Sequence, residues 1–160
     1  IEVSKLYKKD RRIFNSLKKT LPKHVRSFPV DKNEISQAIL ANNINLKKIV
    51  NIVHLAIRKK MNKFIKKNIN TKIIILDIPL LLENKINKKD DILLFVESRK
   101  IEIIKRLKKR KNYNHRLLRK FKNIQQSLDY KKKKSHFIIK NNFTDKSVKR
   151  DIKDILGKII

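Results

Sequence analysis

Three short, nearly unbroken apolar runs, at 72–76, 92–96 (Ile-Leu-Leu-Phe-Val) and 136–139, most constrain how this 160-residue chain folds. Continuous apolarity over four or five positions suits a strand buried on both faces, as in a parallel sheet. The stretches around them carry apolar residues at helical spacing instead. Strands that alternate with helices predict an α/β fold built on a parallel sheet with helices on both faces.

Residues 2–20 place Val3, Leu6, Tyr7, Ile13, Phe14 and Leu17 on one side of a helix broken near Asp10. Leu21-Pro22 ends it, because proline disfavours helix in the residue before it. Asp31 stands as the N-cap of a short helix through Ile35, Ala38 and Ile39, with a break at Asn42-Asn43. A longer helix over 45–68 carries Leu46, Ile49, Val50, Val53, Ile57, Met61 and Ile65 in one stripe. After the second apolar run, Ser98 is placed to cap a helix reaching about residue 111, and residues 116–126 form another. A terminal amphipathic helix uses Ile152, Ile155, Leu156 and Ile159. The lysine run at 131–134 is the one low-complexity patch.

The 44 Lys and Arg residues against 14 Asp and Glu give a net charge of +30, which points to an anionic partner. The skew towards Ile, Leu, Lys and Asn, with a single Gly, runs through interior and exposed positions alike. It reads as a coding bias, so the charge does not locate a site. The absence of Cys excludes a disulfide framework, a thiol nucleophile and a thiolate metal site. His24, His54, His115 and His136 are too scattered to form a metal site. No apolar run approaches the roughly 20 residues a membrane helix needs, and Ile1-Glu2-Val3-Ser4 does not open a signal peptide. A cytoplasmic protein is expected, and the missing initiator Met suggests a start inside a longer chain.

Asp77 follows an apolar run, a pattern that delivers a carboxylate to the carboxyl edge of a parallel sheet, where α/β ligands bind. In phosphoryl-transfer proteins such an Asp commonly helps hold Mg2+, while an Asp capping the turn after a strand is the alternative. The string Asp77-Ile78-Pro79-Leu80-Leu81-Leu82-Glu83 is more distinctive: a proline stops the strand and a carboxylate follows three leucines. Upstream, His54 and Arg58 share a helical face and could hold an anion, or be a buried His beside a solvated Arg. Arg106 and Arg110 repeat the four-residue spacing, and planar guanidinium forks suit phosphate oxygens.

Taken in order, His-x-x-x-Arg, Asp-Ile-Pro-Leu-Leu-Leu-Glu, Arg106-Leu107-Lys108-Lys109-Arg110, Gln125 and Phe137-Ile138-Ile139-Lys140-Asn141 resemble the dephospho-coenzyme A kinase family. The resemblance covers nearly the whole chain, including Asp31-Lys32 where the family has Asp-Arg. It implies a P-loop, nucleoside-monophosphate-kinase-like fold in one domain. Residues 1–70 would be the helical acceptor region, 71–97 and 135–160 the core, and 98–134 the lid. The implied reaction moves the γ-phosphoryl group of Mg-ATP to the ribose 3′-hydroxyl of dephospho-coenzyme A, the last step of coenzyme A synthesis. Arg106 and Arg110 would be lid arginines near the transferring phosphate, and Asn141 would lie near the adenine. His54, Arg58, Asp77, Pro79, Leu80 and Glu83 would belong to the acceptor side, with no metal ligand among the site residues and Mg2+ and ATP as the cofactors.

Leu55, Lys111 and His136 depart from the family's usual Pro, Asp and Asp. The family also begins with a strand, a Gly-x-x-x-x-Gly-Lys-Ser/Thr loop and a second strand bearing a general-base Asp. None of these occurs here, and the one glycine is Gly157. Family topology sets that first strand between those at 72 and 92. The resemblance therefore implies an incomplete kinase domain, unstable and inactive by itself. A basic nucleic-acid-binding module is the rival, with 131–134 as its best site. Only 6% of residues are aromatic, however, too few for a stacking platform. A kinase acting on another nucleotide is a second rival, opposed by the 79–83 string.

Overall fold

Asp10 splits the first amphipathic stretch in two. In the computed structural model, which describes residues 2–110 and 113–160, α1 (Glu2–Lys9) stops there and α2 (Arg11–Thr20) begins. The Asp10 carboxylate accepts from the N–H groups of Arg12 (3.0 Å) and Ile13 (3.4 Å), donors that have no partner within the helix. Asp31 caps α3 (Lys32–Ala41) in the same way, accepting from Asn33 N–H at 2.9 Å. Asn42 caps α4 (Asn43–Lys67) through Ile44 N–H at 2.8 Å, so that helix starts two residues earlier than its apolar stripe predicts.

The chain divides into two units, residues 1–77 and 78–160. In the first, α1 to α4 pack around Leu6, Leu17 and Val25, which are 1%, 0% and 0% exposed. The connection between α2 and α3 is tied down by Val30 N–H donating to Tyr7 C=O (2.9 Å). The Glu34 carboxylate accepts from Arg26 N–H (3.0 Å).

The second unit holds the sheet. Strands β1 (Leu94–Glu97) and β2 (Phe137–Lys140) run parallel, with Leu94 opposite Phe137 and Glu97 opposite Lys140. The crossover between them carries α5 (Lys100–Lys108), α6 (His115–Asn123) and α7 (Leu128–Lys134), and α8 (Asp145–Ile159) packs on β2. His136 fastens the start of the pair, its Nδ1 accepting Leu93 N–H at 2.9 Å. An α/β fold with a small parallel sheet and many helices is therefore present.

Three expectations change. Residues 72–76 do not form a strand: Ile75 is 77% exposed and the segment is irregular. A strand exists only through a neighbour's backbone, and β1 with β2 is the one pairing among the described residues. Nor do helices close both sheet faces, since Val96 on one and Ile138 on the other remain 54% and 38% exposed. Two strands present too little surface for two helical layers. Finally, Ser98 does not cap α5, whose N-cap position is Arg99 with no side-chain cap bond. The low-complexity lysine run at 131–134 forms the last turn of α7, which Ser127 caps through Tyr130 N–H at 3.1 Å.

Candidate active site

In the helical unit, α4 places His54 and Arg58 one turn apart. His54 is half-buried and Arg58 exposed. Burial first, and then the Arg58 charge, lower the His54 pKa below its ordinary value, so the imidazole is neutral at pH 7. Leu55, 63% exposed, keeps α4 continuous where a proline would remove a helical N–H. Asp77 is exposed at the end of the irregular 73–77 segment. Among the described residues no three His, Cys, Asp or Glu side chains cluster as metal ligands.

In the second unit, Pro79 opens a string of tight turns. Leu80 and Lys85 take left-handed backbone angles (φ 59° and 48°), uncommon for residues with a side chain. Asn84 closes the turn by donating its backbone N–H (3.1 Å) and side-chain amide (2.8 Å) to Leu80 C=O. Glu83 faces inward, its side chain 9% exposed, and meets Lys131 Nζ at 2.7 Å and Gln126 N–H at 2.9 Å. Burial pushes the Glu83 carboxyl up. Hydrogen bonds from Lys131, its own N–H and Gln126, together with the Lys131 charge, outweigh this and leave it below the usual range. The next lysine, Lys132, reaches Glu97 at 2.6 Å.

Arg106 lies near the end of α5, its guanidinium 3.9 Å from the centre of the Phe143 ring, a cation–π stack. Phe143 has φ 65°, and its N–H donates to Asn141 Oδ1 at 2.8 Å, so Arg106, Phe143 and Asn141 are joined. Arg110 is placed differently from the expected shared helical face. The helix ends at Lys108, and Arg110 lies exposed in the bend beyond it. Lys111 falls outside the described residues. Asn141 follows β2, donates its N–H to Glu97 C=O (2.8 Å) and lines a cavity of about 510 Å³ with Ser98, Arg99, Lys140 and Arg150. That cavity sits at the carboxyl ends of both strands, where ligands of parallel sheets bind.

Sequence reasoning missed Lys131, Gln126, Phe143, Arg99 and Arg150. A lone carboxylate after three leucines signals that Glu83 needs a cation. Which of 44 cations it finds, 48 positions later, is decided by packing.

The dephospho-CoA kinase family model matches residues 3–146. A dephospho-CoA kinase of Wolbachia pipientis wMel is 32% identical over 159 residues, covering 98% of this chain and 81% of that protein. One from Rickettsia bellii is 26% identical, with 98% and 80% covered. The crystal structure of TT1252 from Thermus thermophilus superposes with a TM-score of 0.74 at 17% identity, over 99% of this chain and 82% of that one. That likeness speaks for the fold. The family match and the Wolbachia relative carry the rest: this chain belongs to the dephospho-CoA kinase family.

Proposed function

We propose that this protein serves phosphoryl transfer from ATP to the 3′-hydroxyl of dephospho-coenzyme A. The observation that carries the reading is the cavity at the carboxyl ends of β1 and β2, with Asn141 in its wall and Arg106 joined to Asn141 through Phe143. In the reaction the acceptor's 3′-oxygen forms a bond to the γ-phosphorus, the bond from that phosphorus to the ADP oxygen breaks, and the hydroxyl proton leaves. Little covalent work falls to the protein. Positioning and compensation of charge do most of it.

Each residue has a part in that scheme. His54 and Arg58 hold anionic groups of the acceptor, with Asp77 and the turn from Pro79 through Leu80 on the acceptor side. Arg106 and Arg110 offset charge on the transferring phosphate, and Asn141 lies beside the adenine. Mg2+ arrives with ATP as part of the substrate. These 160 residues contain one glycine, Gly157 in α8, and hence no glycine-rich phosphate loop. Acceptor binding is therefore expected of them, and turnover is not.

Calorimetric titration with dephospho-coenzyme A tests this. Saturable binding is expected, weakened about tenfold by Arg58→Ala. Uptake of protons should also appear when buffers of different ionisation heat are compared, because phosphate contact raises the lowered His54 pKa. A radiolabelled-ATP assay should show no transfer. Rapid turnover by these residues alone would overturn the loop argument.

The nucleic-acid reading keeps one surface, a cleft of about 430 Å³ lined by Lys5, Lys9, Arg11, Arg12 and Lys60 with Asp10. Its other candidate is weakened, because Lys131 and Lys132 pair with the carboxylates of Glu83 and Glu97. Tight, steeply salt-dependent binding of duplex DNA, with no preference for dephospho-coenzyme A, would favour it.

A further inference from the structure

Glu83 lies in the segment assigned above to the acceptor, yet its carboxylate is already occupied. Lys131 Nζ stands 2.7 Å away and Gln126 N–H donates at 2.9 Å. With 9% of the side chain exposed, little of it is left to meet a ligand. An unpaired carboxylate there would also repel the phosphates of dephospho-coenzyme A.

The turn that carries Glu83 has no regular structure and two left-handed non-glycine residues, Leu80 and Lys85; Asn84 closes it from within on Leu80 C=O, while its position against the rest of the unit is held from outside. The holder is α7. Lys131 grips Glu83, and Lys132, rotated about 100° round the helix, grips Glu97 at the end of β1. Two successive lysines thus tie the turn to the strand edge where the cavity opens.

We propose that Glu83 is a positioning residue: through Lys131 and Gln126 it pins residues 79–85 to α7, and so sets where the acceptor segment stands against the sheet edge. This rests on the acceptor reading of that segment.

The test compares the unsubstituted chain with Glu83→Gln, Lys131→Met, the double variant and Lys131→Arg. Amide exchange at Gln126 and dephospho-coenzyme A affinity are both measured. Each single substitution should speed exchange at Gln126 and weaken binding by on the order of three- to tenfold. The double variant should be no worse than the poorer single one, and Lys131→Arg, which keeps the cation, should bind within about twofold of the original.

Weakened binding in Glu83→Gln with none in Lys131→Met would overturn the proposal, because the carboxylate would then touch the ligand. Multiplying effects in the double variant would overturn it as well. If the unsubstituted chain binds no dephospho-coenzyme A, the acceptor reading fails. The pin then stands or falls on exchange alone, and unchanged protection at Gln126 in both single variants sinks it.

Discussion

Tyr7 turns towards the interior of the helical unit, 8% exposed, and burial pushes its phenol up to about 12 from 10.0. Folding therefore favours the neutral phenol. The stability this adds is complete below pH 10 and is lost as pH rises from there towards 12. An ultraviolet difference titration should show one of the three tyrosines ionising late, together with unfolding. Late ionisation that vanishes in Tyr7→Phe checks the assignment. His136 shows how a departure from the family pattern resolves at this scale. An Asp at this position would offer a side-chain acceptor, and His136 offers one too, its Nδ1 taking Leu93 N–H at 2.9 Å. The sequence displays the departure, while the bond that excuses it depends on two segments meeting.

Helix starts were largely legible because caps are local: Asp10, Asp31 and Asn42 each bond an N–H two residues ahead. The apolar run at 72–76 has the composition of a strand but not its structure, because that composition describes burial that only a neighbouring strand could supply. Two opposite substitutions probe element geometry. Gly157 is helical, and a Cβ there would meet nothing within 4 Å, so Gly157→Ala should stabilise by about 0.5–1 kcal/mol. Lys85 is exposed at φ 48°, where glycine removes a steric penalty, and Lys85→Gly should stabilise by about 1 kcal/mol. Denaturant unfolding measures both, and a loss in either variant contradicts the geometry assigned to it.

Among the described residues, thirteen of the fifteen buried apolar ones belong to residues 1–77, leaving Ile139 and Ile155 for the second unit. Each buried aliphatic side chain contributes roughly 1.5–3 kcal/mol, whereas exposed ion pairs contribute about 0–1 kcal/mol. Amide exchange should accordingly be slowest around Leu17, Ala38 and Val53, with residues 78–160 opening first. Equal protection in both units would contradict this weighting of the core. By itself the sequence determined most of the helices, the caps at Asp10 and Asp31, the two paired strands and the ordered motif that marks the family, because each is written in neighbouring residues or in spacing. Tertiary structure alone decided that 72–76 stays unpaired, that Arg106 stacks on Phe143 rather than standing in line with Arg110, and that Glu83 finds Lys131. Those outcomes depend on which distant groups arrive at the same place, and local pattern carries no record of that.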